Sequence, residues 1–419
     1  MTRPLVERAL AGADEQAVSR EEGVVAGRRV RVSLWAVAVV VAASVVAVGW
    51  LPLDAAGRLA ARVGPILLFL VAITMVAEMC AAAGLFDAAA SWALRLARGS
   101  RLRLWGLVVL LASACTVVLS LDTTAVLVTP VVLTIARRTG SRPLPFALTV
   151  LALSNTASLL LPVSNLTNLL AAHRLAGLQP GVPYAATMWL PALVVVAVTV
   201  AYLFGVHHRD LRGTFDALPL VAERDRVLLP LAALVTVALG VCFAVGLPVA
   251  AVAVGGAIVL LAVTLVRRRD LVAPVGELVP WRTVLVLASL FVAVEAWQVH
   301  GLGDLLARFA GTGTGTGDLL QVAGAGAVAA NVVNNLPAYL ALEPAAAGDP
   351  ARLAALLVGV NAGPLITPWA SVATVLWWVQ CSRHWMGFRE VGWWPLVRQG
   401  LVLAPLAVAA GALAVAAVA

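Results

Sequence analysis

The chain has 419 residues, 62% of them hydrophobic and 12% charged, with a mean hydropathy of +0.98. Soluble domains are about 45–50% apolar and about 25% charged, so a disordered chain, a collagen-like one and a conventional soluble enzyme are excluded, and a polytopic membrane protein fits. All 29 basic residues are Arg, against 21 Asp and Glu; in so apolar a chain this excess reads as loop charge and topology, and no nucleic-acid partner is expected.

In chain order, residues 1–31 mix Arg, Glu and Asp ahead of any apolar run. They lack the charged start and small-residue cleavage site of a signal peptide and read as a cytosolic tail. Apolar runs at 32–53 and 63–86 follow, each near the ~20 residues that cross ~30 Å of hydrocarbon. The stretch 104–136 has a polar centre, Asp122-Thr123-Thr124, and predicts a re-entrant hairpin. Runs at 144–171 and 185–206 complete a first set, and 227–245 reads as a connecting span. A second set then runs through 248–266, 281–299, a hairpin at 318–343 tipped by Asn334-Asn335-Leu336-Pro337, 353–380 and 396–418. The Gly-Thr alternation at 311–317 lacks the flanking elements and Lys of a phosphate loop and reads as a flexible outer loop. Trp377, Trp378, Trp385, Trp393 and Trp394 read as an interfacial aromatic belt.

Arginine placement orients this set. With both hairpins re-entrant and the N-terminus cytosolic, 24 Arg fall on the cytosolic side and five outside, namely Arg58, Arg62, Arg174, Arg308 and Arg352. That bias follows the positive-inside rule and predicts nine spans, two hairpins and an outer C-terminus. Apart from Arg282 and Arg398, near the starts of their runs, no Arg falls inside a predicted span or hairpin.

The chain also repeats itself. Glu78, Gly84 and Asp87 recur as Glu295, Gly301 and Asp304; Leu121-Asp122 as Asn334-Asn335; Asn155 and Pro162 as Asn361 and Pro368. The span count turns the second copy upside down. The expected fold is therefore an all-α polytopic membrane protein with two inverted-topology repeats, each holding a re-entrant hairpin and a broken transmembrane helix. The expected division is 1–31 tail, 32–206 first repeat, 207–247 connector and 248–419 second, inverted repeat. Inverted repeats around broken helices mark secondary transporters, with a site near the midplane.

Candidate site residues follow from the breaks. Non-helical backbone at membrane depth is tolerated only where it lines a cavity or is buried in protein. Four stretches combine Pro or Gly with polar side chains: Leu121–Thr124, Ser154–Asn168, Asn334–Pro337 and Asn361–Thr374. Few acids lie at depth. Asp122 sits at a hairpin tip and is the first candidate for proton coupling, with Glu78 and Glu295 as a pseudo-symmetric second pair and Glu343 near a hairpin end. No cofactor or metal is expected: Cys80, Cys115, Cys242 and Cys381 show no ligand spacing, and no catalytic motif occurs.

Ser158-Leu-Leu-Leu-Pro-Val-Ser164-Asn165-Leu-Thr-Asn168 and Gly363-Pro-Leu-Ile-Thr367-Pro368-Trp-Ala-Ser371-Val-Ala-Thr374-Val-Leu-Trp377 resemble two signatures of the arsenite permeases, as do Asp122-Thr-Thr-Ala-Val-Leu-Val-Thr-Pro130 and Asn334-Asn335-Leu-Pro337. The resemblance to this family of arsenical pump membrane proteins, within the ion transporter superfamily, covers about residues 32–418. It implies a bacterial-type inner-membrane exporter of As(OH)3 or Sb(OH)3, exchanging protons or, as elsewhere in the superfamily, coupled to sodium. A soluble ATPase partner and a homodimer are compatible with it. Sodium-coupled carboxylate carriers and sodium/proton antiporters are the alternatives within the superfamily. It carries site roles onto Asp122, Thr123 and Thr124, onto Asn155, Ser158, Asn165 and Asn168, and onto Asn334, Asn335, Asn361, Gly363, Thr367 and Thr374. Two departures stand out: Leu121 where the family often has Asn, and Asn361 where related members carry Asp.

Overall fold

The computed structural model describes residues 34–216, 225–271 and 279–419. The expected tail at 1–31 and parts of two Arg-rich loops lie outside the described residues, as does the side chain of Asp304 in the second repeat motif. The described chain is helical throughout, with one isolated β-bridge between Ser100 and Thr214.

The first half runs α1 (Leu34–Ala47), α2 (Leu53–Ala82), α3 (Leu85–Ala97) and α4 (Arg101–Val118). A short turn α5 (Leu121–Thr123) and a π-helical turn (Thr124–Val128) lead into α6 (Thr129–Arg138). Then come α7 (Pro143–Thr156), two 3-10 turns, α8 (Leu166–Leu178) and α9 (Tyr184–His207). After α10 (Leu228–Ala244) the order recurs: α11 (Val249–Arg267), α12 (Trp281–Val299), α13 (Leu302–Ala310), α14 (Thr316–Val333), α15 (Asn335–Ala346), α16 (Pro350–Ala362), α17 (Val372–His384), α18 (Phe388–Val391) and α19 (Trp394–Ala416). Details recur as well. Gly84 and Gly301, with φ of 77° and 90°, turn the chain into α3 and α13, a backbone region that favours glycine. Packing crosses between the halves: α11 lies on α2, while α12 lies on α1.

Composition explains the layering. α7 and α16 are apolar on every face, and such helices are buried all round; residues 145–156 and 352–362 are buried without interruption. α3 is amphipathic: Phe86, Ala90, Ala93, Leu94 and Ala97 pack inward, while Trp92 and Leu96 are exposed. Among the described residues, six helices are long and apolar enough to cross a membrane: α2, α4, α9, α11, α12 and α19. α1, α7, α10 and α16 are shorter apolar helices.

Four sequence expectations change. The run at 63–86 is part of a 30-residue helix beginning at Leu53, so Arg58 and Arg62 lie within it. Arg58 pairs with Asp54 at 2.7 Å across one turn, and Arg62 meets Glu343; both find an acid, so helix can continue through them. The loop at 311–315 is held rather than loose, because buried Arg352 donates to the carbonyls of Ala310, Gly311, Gly313 and Ala345. Trp377 belongs to the core and donates to the Ala147 carbonyl at 2.8 Å, whereas Trp394 is exposed as a belt residue should be. Ser120, one residue before the sequence match, is the capping counterpart of Asn334.

Candidate solute site

The first break begins where α7 ends. Pro162 has no amide hydrogen to give, which favours a break here. Asn165 adopts extended backbone and caps α8, its Oδ1 accepting from the Thr167 amide at 3.3 Å. Carbonyls freed by the break are taken up by Asn168, whose Nδ2 donates to Ser158 O at 2.5 Å and Leu161 O at 3.1 Å. Ser158 donates to Asn155 O, and Ser164 to Val117 O on α4. Asn361, at the end of α16, reaches across to this break. Its Oδ1 accepts from Asn165 Nδ2 at 2.7 Å and Thr167 Oγ1 at 2.8 Å, and its Nδ2 donates to Asn168 Oδ1 at 2.5 Å. The amide is used as donor and acceptor together, a task that a carboxylate, which only accepts, does not perform. This gives a physical reason for Asn at the position where related members carry Asp.

The first hairpin tip is capped by Ser120, whose Oγ donates to Thr123 Oγ1 at 2.9 Å and accepts from the Thr123 amide at 3.1 Å. Thr124 is buried and bonded to Ser120 O and Thr116. Asp122 Oδ1 is buried with no hydrogen-bond partner in the protein. Asp122 and Thr123 line a cavity of about 200 Å³ together with Glu78, Ser120, Asn165 and Thr283. Thr74 adds a further hydroxyl, the rest of the wall is apolar, and no Arg lines it. Two carboxyls, four hydroxyls and an amide thus face a small enclosure. Such a set can accept from and donate to the hydroxyls of a small neutral solute, or hold a cation, whereas an anion would find no countercharge there.

The second break is closed by its own hairpin. Asn331 Nδ2 donates to Gly363 O at 2.8 Å, and its Oδ1 accepts from the amides of Ile366 and Thr367, both at 3.1 Å. Thr367 Oγ1 returns a bond to Asn331 O at 2.7 Å. Asn334, with φ of 112°, caps α15 and donates to Trp369 O at 2.8 Å. The Asn335 amide donates to Ala370 O, and Ser371 and Thr374 bond one another. Gly363 is packed so closely that an added Cβ would meet Ala327. Val372 and Leu376 of α17 reach the cavity wall.

Of the expected site residues, Glu78, Asp122, Thr123 and Asn165 share the cavity, and Asn361 and Asn168 lie immediately behind Asn165. Thr124, Asn155 and Ser158 are buried around the first hairpin and break. Asn334, Asn335, Gly363 and Thr367 hold the second hairpin against the second break, and Thr374 joins Ser371 in capping α17, all away from the cavity lining. Glu295 is not on the cavity wall either; it lies within electrostatic reach of Arg62. Asn331 was not singled out in the sequence, although its spacing from Asn334, one helical turn, was a signal. Serine 120 and Thr283 were also missed.

A family model described as "Citrate transporter" (CitMHS) matches residues 23–376. The chain belongs to the citrate transporter family. This member of the family is 28% identical to the "Arsenical pump membrane protein" of Yersinia enterocolitica over 356 residues, 80% of this chain and 81% of that one. It is 26% identical to the protein of that name in Escherichia coli K12 over 358 residues, again 80% and 81%. It is also 27% identical to an uncharacterized transporter of Mycobacterium tuberculosis H37Rv over 372 residues, 83% and 84%. Among solved structures, the YdaH transporter of Alcanivorax borkumensis superposes with a TM-score of 0.54 at 16% identity, covering 84% of each chain, a likeness of fold. The resemblance to the arsenite permeases therefore stands, and this citrate transporter family member is a multi-pass membrane transporter and not an enzyme.

Proposed function

We propose that the protein exports arsenite or antimonite, As(OH)3 or Sb(OH)3, across a bacterial inner membrane in exchange for protons. The observation that carries this reading is the partnerless Asp122 carboxyl in a small cavity of hydroxyl and amide groups with no arginine. Solute hydroxyls bond to Thr123, Asn165 and the backbone of the broken helix, and Asp122, with Glu78 opposite, takes and releases the proton. The relatives named as arsenical pumps support the substrate class.

In this proposal residues 32–206 and 248–419 act as inverted repeats joined by 207–247, with both hairpins re-entrant, the N-terminus cytosolic and the C-terminus outside. The recurring element order and the crossed packing of α2 with α11 and α1 with α12 support it. A soluble ATPase partner and a homodimer are compatible with this arrangement.

The test is As(III) uptake into everted vesicles carrying an imposed pH gradient. Wild-type protein should concentrate As(III) in a gradient-dependent way, and Asp122→Asn should fall to the empty-vesicle background. A mutant that transports at the wild-type rate with unchanged pH dependence removes the proton role. The description of the family model favours a second reading, a sodium-coupled carboxylate carrier; Glu78 and Asp122 without a facing cation argue against it. Sodium-dependent flux, or citrate competing with As(III), would establish that second reading instead. Sodium-driven proton flux without either solute would identify a sodium/proton antiporter.

A further inference from the structure

A second, larger cavity of about 850 Å³ adjoins the first. It is lined by Arg58 and Arg62 of α2, by His173 of α8 and by the α10–α11 turn at Gly246–Val249. Both of these arginines are among the five that the charge bias assigns to the outer side. Three pairs of nearby residues face opposite cavities. Pro162 lines the larger and Val163 the smaller; Leu169 lines the larger and Leu166 the smaller; on α2, Ile66 lines the larger and Phe69 the smaller. Ile66, Phe69, Pro162 and Val163 are all buried. The partition at this point is therefore one backbone segment and one apolar layer thick. A dry apolar constriction stops water and small polar solutes until its side chains part.

What holds the layer together lies beside it. Glu343, buried on α15, accepts from Arg62 of α2, one turn before Ile66, and from Arg174 Nε of α8 at 3.3 Å. Tyr339 Oη donates to the same carboxylate at 3.2 Å. One acid thus fastens α2 and α8, the two helices that supply the layer, to the second hairpin. Arg62 Nε is buried without a partner, so its remaining donor has no competing anchor.

We propose that the 850 Å³ cavity is the second mouth of the solute path, and that Glu343, through Arg62 and Arg174, is the positioning residue that keeps the apolar layer between the two cavities shut. This rests on the Asp122 cavity being the solute site.

The experiment is sided thiol labelling in a Cys242→Ala background, since the other three native cysteines are buried. Ala172→Cys places a thiol on the larger cavity and Val163→Cys places one on the smaller. Both are treated with a membrane-impermeant methanethiosulfonate in right-side-out and everted vesicles. Ala172→Cys should react from the larger cavity's side, and Val163→Cys should react from that side slower by about 10-fold or more. Adding Glu343→Gln should raise Val163→Cys labelling from that side about 10-fold while Glu343→Asp restores the slow rate. Arg174→Gln, half-exposed and milder, should act in the same direction if Glu343→Gln fails to reach the membrane. Equal labelling of both positions from that side, or labelling unmoved by Glu343→Gln and Arg174→Gln, overturns the proposal. The labelling needs no solute, so absent As(III) flux would sink the functional reading and leave this result standing on its own.

Discussion

The two broken helices follow one plan and end in opposite states. With an offset of 206, Asn155 corresponds to Asn361, Asn165 to Ser371, Thr167 to Ala373 and Asn168 to Thr374. Asn361 finds Asn165, Thr167 and Asn168 across the interface and satisfies both ends of its amide. Asn155 makes no bond to these counterparts, its Nδ2 donates to Leu151 O, and its buried Oδ1 is unpartnered. The same contrast holds at the hairpins. Ser113, Asp122 and Thr129 in the first each have a buried oxygen without a partner, while no buried polar side-chain atom among the described residues 316–384 lacks one. Buried polar groups left unpaired cost about 1–3 kcal/mol each, so such a concentration is informative. The second hairpin and break are saturated with internal bonds; the first keeps unpaired polar atoms beside a cavity.

Substitutions can break this contrast. The largest effect is expected from Asn361→Asp, which puts a carboxylate 2.5 Å from Asn168 Oδ1 and removes the donor. Asn168 is not free to flip, because its Nδ2 serves two carbonyls. Stability should fall by about 3–5 kcal/mol, the scale of an uncompensated buried charge, read by thermal unfolding in detergent. Gly359→Ala comes next: its Cβ would land on the Ala323 carbonyl where α14 and α16 touch. A cost of about 1–3 kcal/mol or more should appear as reduced folded yield.

The paired hydroxyls sharpen the comparison further. Thr367→Val removes the hydroxyl's bond to Asn331 O and should lower stability by about 1–2 kcal/mol with the KM for As(III) unchanged. Thr123→Val should do the reverse, raising KM with little change in unfolding. The same outcome at both sites would erase the distinction between the halves. The smallest effect is at Asp225, whose Oδ1 accepts from the amides of Val227 and Leu228 at 2.8 and 2.9 Å. These bonds hold its carboxyl below the ordinary value of 3.8. The carboxylate's support for the start of α10 is therefore present above about pH 4 and disappears as pH falls through its lowered value. Amide hydrogen exchange at Leu228 should quicken only at strongly acid pH, and Asp225→Asn should remove that dependence.

Much of this architecture was legible because its causes are local. Proline and glycine beside Asn, Ser or Thr in apolar runs mark backbone that needs polar partners, and a break falls within three of the predicted stretches and at Leu119–Ser120, just before the Asp122 stretch. Periodicity does not reveal who meets whom. Asn165 and Asn361 are 196 positions apart, and Arg62 and Glu343 are 281 apart. Nothing near Arg62 announced its acid, so the run at 63–86 stopped ten residues short of the helix start. Partners in the second half were hidden for the same reason. Asn334 is taken up by Trp369 O and the Leu336 amide, and Thr367 by Asn331.

Arg352 carries a practical consequence. A stretch such as Gly-Thr-Gly-Thr-Gly is where one would splice an epitope, a cleavage site or a fluorescent reporter, because glycine-rich sequence suggests slack. Here a buried guanidinium gathers the carbonyls of Ala310, Gly311 and Gly313 along with that of Ala345. Lengthening the loop would pull those oxygens out of register and strand a cation inside the protein. The apparent spare thread in this chain is a knot, and an insertion scan should find it among the least forgiving stretches between two helices.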